Sequence, residues 1–86
     1  MGYQVEYTKQ AVKTLRKMSV ITAQSILKKV RQIAEDPFSP HKDVTKLQGR
    51  EGYRLRVGDW RILYEVQINK LVILVLKIGL RKEVYR

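Results

Sequence analysis

The 86-residue sequence predicts an α+β fold: an N-terminal strand, then an antiparallel helix hairpin packed on one face of a mainly antiparallel sheet of about four strands. Three observations carry this. Residues 2–7 and 53–64 alternate apolar with polar or charged side chains, the period of a half-buried strand. Residues 9–35 instead space their apolar positions three and four apart, the period of a helix. Residues 71–78 are almost continuously apolar, as in a strand buried on both faces. A chain this short supports one core, so residues 1–86 are expected to form a single domain.

In the first strand, Tyr3, Val5 and Tyr7 share a face. Thr8 is placed to cap the helix that follows, in which Ala11, Val12, Leu15 and Met18 form the apolar stripe. Ser19 then caps a second helix over 20–35, whose stripe is Ala23, Ile26, Leu27, Val30, Ile33 and Ala34, and Pro37 stops it. The short link between the helices implies an antiparallel pair. Its opposite faces carry Lys9, Lys13, Arg16, Lys17, Lys28, Lys29 and Arg31. Residues 37–50 read as a connector without structure of its own, with Pro40, His41 and Gly49 as breakers.

Gly58-Asp59 suits a two-residue hairpin turn, and folding about it sets Val57 against Trp60, Arg56 against Arg61 and Leu55 against Ile62. Tyr53, Leu55, Val57, Trp60, Ile62 and Tyr64 then face the core, while Arg54, Arg56 and Arg61 face away. Like charges directly opposite in a sheet destabilise it. Arg56 against Arg61 therefore calls for an anion above the pair, for which a phosphate is the working expectation, or for an intervening acid. Asn69-Lys70 marks the next turn. A two-residue loop there sets Lys77 opposite Ile62 on the core face; a three-residue loop over 68–70 sets it opposite Arg61. The second register is expected because it leaves no unpaired ammonium in the core. Gly79 is expected to break the last strand, ahead of a tail over 80–86.

Composition narrows function. Eighteen Lys plus Arg against eight Asp plus Glu give a net charge of +10, which points to nucleic acid ahead of an anionic membrane surface or an acidic protein. There is no cysteine and only one histidine, His41, so neither a metal site nor a cofactor is expected. No apolar run approaches the ~20 residues of a membrane span. No signal-peptide pattern opens the chain, so a cytoplasmic location without a membrane partner is expected.

Three local motifs then carry a resemblance that spans essentially the whole chain: Lys46-Leu47-Gln48-Gly49 before the hairpin, the run from Tyr53 through Gly58-Asp59-Trp60-Arg61 to Tyr64 across it, and Gly79-Leu80-Arg81-Lys82-Glu83-Val84-Tyr85-Arg86 at the end. With the order strand, helix hairpin, meander, they resemble the RelE/ParE superfamily of bacterial and archaeal toxins. That resemblance implies one of two activities. RelE-like members are endoribonucleases that cut messenger RNA in the ribosomal A site; ParE-like members poison DNA gyrase and lack the catalytic residues. Arg54 and Arg56, Arg61, then Arg81 and Tyr85 match the RelE-like places, so the ribonuclease is expected. A ParE-like gyrase inhibitor and a non-enzymatic basic nucleic-acid-binding module are the rivals.

Such cleavage is metal-free: the ribose 2′-OH attacks the adjacent phosphorus in line, leaving a 2′,3′-cyclic phosphate and a 5′-OH. Guanidinium forks suit the charge that grows on the phosphoryl oxygens. Arg61 is assigned to that role with Arg56 assisting, Arg81 to the leaving group, and Tyr85 to stacking on messenger bases. Arg54, Lys46, Lys77, Lys82 and Arg86 are expected to bind RNA. The general base is open, because arginines stand where relatives often have lysines and Leu80 where many have a histidine. Lys46, Lys77, Lys82 and Glu83 are candidates, as are the ribosome and the substrate. Arg54 also reads as an ordinary solvated strand residue, Trp60, Tyr53 and Tyr64 as core, and His41 as exposed and inert. The partners the resemblance implies are a cognate acidic RelB-like antitoxin, the 30S A site with its rRNA and mRNA, and operator DNA only through the antitoxin.

Overall fold

The structure, a computed structural model, describes residues 2–82. Its elements run β1 (Gln4–Tyr7), α1 (Lys9–Lys17), α2 (Val20–Glu35), β2 (Val44–Lys46), β3 (Tyr53–Val57), β4 (Trp60–Gln67) and β5 (Val72–Leu80). The strands form one sheet in the order β1-β5-β4-β3-β2. The chain enters at one edge, crosses a face of the sheet as two helices, and reaches the opposite edge at β2. It then returns as an antiparallel meander until β5 lies parallel beside β1.

Both helices begin where their capping residues place them. Thr8 Oγ1 accepts from the Ala11 N–H at 3.3 Å and Ser19 Oγ from the Thr22 N–H at 3.2 Å, each satisfying a first-turn donor that has no partner within the helix. Ala11, Ile26, Val30, Ile33 and Ala34 from the helices meet Leu55, Ile62, Tyr64, Ile73, Val75 and Ile78 from the sheet in the core. Trp60 and Tyr53 pack partly buried against it, and the Tyr53 ring stacks on Tyr64 with centroids 5.4 Å apart. Tyr64 Oη is buried with no hydrogen-bond partner among the described residues, and burial pushes its phenol pKa upward.

Four expectations are corrected. The sheet has five strands, because Val44–Lys46 of the supposed connector pairs with β3. An edge strand needs only backbone to pair, and here Val44 alone reaches the core, so no apolar run announces it. The first strand starts at Gln4: the Tyr3 N–H donates instead to Ala34 O at the end of α2, 2.7 Å away. Gly79 does not end the last strand but lies within it, opposite Arg61.

The fourth correction concerns Lys77. The turn leaves Gln67 opposite Val72, with Leu71 in left-handed backbone at φ 54. Next to the turn this is the register that would have put Lys77 opposite Ile62. A β-bulge intervenes: Tyr64 faces Val75, but Leu63 faces Lys77, leaving Leu76 unopposed. Ile73, Val75 and Ile78 therefore all turn inward, and Lys77 stays on the other face. The Lys77 ammonium is kept off the core by a bulge in place of loop length.

Beyond the end of β1, side chains take over the exposed edge of β5. Thr8 Oγ1 donates to Leu76 O at 2.6 Å, and the Gln10 amide both donates to Ile78 O and accepts from the Ile78 N–H, each at 3.0 Å. Gln10 thus extends the β5 ladder from the first turn of α1.

Candidate functional site

The helices occupy one face of the sheet, and alternation along β3 and β4 commits their remaining side chains to the other. Two cross-strand rows result. One reads Thr45, Arg54, Leu63, Lys77 across β2 to β5; the next reads Arg56, Arg61, Gly79 across β3 to β5. Glycine at the end of the second row leaves Arg61 without a side chain opposite it on β5. These rows floor a groove of about 630 Å³ lined by Asp43, Val44, Thr45, Arg54, Arg56, Arg61 and Arg81. A second concavity of about 530 Å³ continues from Asp43, Arg56 and Arg61 over the hairpin tip to Ser25 and Lys29 of α2.

The hairpin has the expected register, with Gly58 at φ 57 permitting the tight turn. The turn itself holds Arg61, whose Nη1 donates to Gly58 O at 2.9 Å and to Trp60 O at 3.0 Å. It also anchors the segment after β5, since the Arg81 N–H donates to Asp59 O at 3.0 Å. That bond brings Arg81 to the groove.

The acid that the opposed arginines call for is Asp43. Its Oδ1 accepts from Arg56 Nη2 at 3.1 Å, its backbone oxygen accepts from the Arg56 N–H at 2.9 Å, and its Oδ2 stands 3.7 Å from Lys29 Nζ. Asp43 adopts φ 70, a conformation that Asp and Asn tolerate better than most residues. Sequence reasoning set out the need for an acid without locating it. The signal was an aspartate just before a β-branched residue in the connector, legible only once that connector is known to pair with β3.

The groove therefore gathers Arg54, Arg56, Arg61 and Arg81. Lys46, Lys77 and Lys82 are outside its lining: Lys46 lies opposite Tyr53 at the end of β2 and borders a separate concavity with Arg54 and Leu63, and Lys77 stands on β5 at the far end of the Arg54 row. Tyr85, Arg86 and Glu83 lie outside the described residues. His41 does not line the groove; its Nε2 donates to Asp36 O at 2.7 Å, tying the connector to the end of α2. Among the described residues there is no group of His, Cys, Asp or Glu able to hold a metal, and no helix is long and apolar enough to cross a membrane. Chemically, the groove offers several guanidinium donors converging on one space, a geometry suited to the oxygens of a phosphodiester.

Comparison with known proteins agrees with this layout. The family model described as the ParE toxin of the type II toxin–antitoxin system parDE matches residues 5–85. The chain is 30% identical over 90 residues to the mRNA interferase toxin RelE of Escherichia coli, covering 99% of this chain and 92% of that protein. The archaeal RelE–RelB complex of Pyrococcus horikoshii contains a chain that superposes with a TM-score of 0.82 at 33% identity, covering 98% of this chain and all of that one. The intact E. coli RelBE toxin–antitoxin complex superposes with a TM-score of 0.72 at 26% identity, covering 90% and 94%.

Proposed function

The chain belongs to the ParE toxin family of type II toxin–antitoxin systems, within the RelE/ParE superfamily, and from that membership we propose that it is a RelE-like, ribosome-dependent endoribonuclease. The observation that carries this reading is the groove itself, where four arginines from β3, β4 and the segment after β5 line one space on the open face of the sheet. Phosphodiester cleavage calls for donors aimed at the charge that develops on the phosphoryl oxygens, and these guanidiniums supply them.

In this reading Arg61, held by the hairpin carbonyls, binds the phosphoryl oxygens with Arg56 as charge develops in the transition state. Arg81 stabilises the departing 5′-oxygen, and Tyr85 stacks on the messenger. The 2′-OH gives up its proton to a base and its oxygen bonds to phosphorus as the bond to the 5′-oxygen breaks and that oxygen takes up a proton, giving a 2′,3′-cyclic phosphate and a 5′-OH; Lys46, Lys77, Lys82, Glu83, the ribosome and the substrate are the candidate bases. Arg54, Lys46, Lys77, Lys82 and Arg86 contribute charge to RNA binding, so association weakens steeply with salt. The protein acts in the cytoplasm on the 30S A site, in contact with rRNA and mRNA. It is neutralised by an acidic RelB-like antitoxin that folds as it wraps the basic surface, and it meets operator DNA only through that partner. Antitoxin complexes of the relatives support this pairing.

The name of the matching family favours one other reading, a ParE-like inhibitor of gyrase. Induction of the wild type and of the Arg61→Ala, Arg81→Ala and Tyr85→Ala variants, with messenger 5′ ends mapped on translated and untranslated transcripts, separates the two. Codon-phased cuts on translated transcripts, absent from the variants, are expected. Undiminished toxicity of both arginine variants, with DNA damage as the first response, would establish the gyrase reading.

A further inference from the structure

We propose that Asp43 is a positioning residue that holds the Arg56 guanidinium in place beside Arg61; the role in cleavage rests on the ribonuclease reading above, whereas the positioning does not. Arg56 and Arg61 are direct cross-strand partners. Two guanidiniums so placed repel each other, and an unrestrained strand arginine would swing its long side chain into solvent. Arg61 is restrained by its own turn through Gly58 O and Trp60 O. Arg56 has no such turn within reach, and its side chain is 61% exposed.

Asp43 supplies what the hairpin cannot. It grips the backbone of Arg56 through its carbonyl and the guanidinium through Oδ1, so one residue fixes both ends of the same side chain. Its own side chain is only 18% exposed and is approached on the far side by Lys29 from α2, which ties the arginine row to the helix layer. Asp43 is also the one carboxylate among the described residues lining the groove, set directly against an arginine. With Arg56 on one side and Lys29 on the other, its geometry suits orientation of the arginine.

The test compares wild type with Asp43→Gly, Asp43→Asn, Arg56→Ala and the Asp43→Gly/Arg56→Ala double variant. Glycine removes the side chain without straining φ 70. Asparagine keeps an acceptor for Arg56 and tolerates the same backbone. Cleavage of a short messenger on ribosomes with an empty A site gives kcat and KM, and 15N NMR of the arginine side chains reports the order of Arg56 directly. The Gly variant is expected to lower kcat about tenfold with KM little changed, to add nothing in the Arg56→Ala background, and to be largely rescued by Asn. Arg56 is expected to be ordered in the wild type and the Asn variant and mobile in the Gly variant. Additive losses, or an Asn variant as inactive as the Gly variant, would overturn positioning, the second result making the carboxylate a proton acceptor. An Arg56 side chain equally ordered in the Gly variant would overturn it whether or not RNA is cut. Should the wild type cut nothing, the ribonuclease reading fails and the NMR comparison still decides the role of Asp43.

Discussion

The two faces of this sheet are built from alternate residues of the same strands and are stabilised in opposite ways. On the helix side, Leu55, Ile62 and Tyr64 are each at most 1% exposed and gain from removal of apolar surface from water. On the open side, Arg54 and Arg61 are only half-buried, Arg56 is exposed, and Arg56 and Arg61 repel each other. That side is held by hydrogen bonds from the turn and from Asp43. The contrast teaches that this hairpin is supported from one face so that the other can carry an arrangement unfavourable in isolation.

Four substitutions test that division, from the largest effect to the smallest. Ile62→Ala, at a position 0% exposed, is expected to cost about 2–5 kcal/mol in urea unfolding, because it leaves a cavity between sheet and helices. On the same strand, Arg61→Ala is expected to move the unfolding free energy by less than about 0.5 kcal/mol. Messenger cleavage should fall by about a hundredfold or more if Arg61 meets the developing phosphoryl charge. A large loss of stability there would erase the distinction between the faces. Gln10→Ala is expected to cost about 1 kcal/mol, since the Ile78 N–H and C=O lose their side-chain partner beyond β1; faster hydrogen exchange at Ile78 would report it locally.

Tyr64→Phe removes a buried hydroxyl that has no partner among the described residues, and is expected to change stability at neutral pH by less than about 0.5 kcal/mol. Its effect grows in alkali. Burial, then the neighbouring Tyr53, raises the folded-state pKa of Tyr64 above the ordinary 10.0. The stability linked to it is therefore whole below pH 10 and declines as pH rises beyond, where the unfolded chain ionises and the folded one resists. Urea midpoints at neutral and alkaline pH should show a smaller alkaline loss in the Phe variant. Some loss remains, because burial, opposed by Arg31, raises Tyr7 as well.

How far the fold was legible follows from what each element rests on. Helices with caps at Thr8 and Ser19 and a stop at Pro37 are local, so their bounds follow from the sequence; the hairpin about Gly58-Asp59 is equally local. β2 was not legible because its pairing is supplied by β3, not by its own three residues. Nor was the bulge at Leu76, which reconciles Lys77 with a core that needs both Val75 and Ile78 inward; such a conflict shows in the sequence, but its resolution lies in three dimensions. The groove divides likewise. Arg56 and Arg61 were placed by alternation. Arg81 depends on a bond to the turn at Asp59, and Asp43 on a strand the pattern does not announce.

The central claim, that the arginine groove cuts messenger on the ribosome, is tested most directly with purified components. Wild-type protein is added to ribosomes holding a defined messenger with an empty A site, and separately to gyrase with relaxed plasmid. A messenger cut once in the A site with a 2′,3′-cyclic phosphate and a 5′-OH, no cutting by Arg61→Ala, and undisturbed supercoiling are expected. An intact messenger alongside blocked supercoiling would contradict the claim.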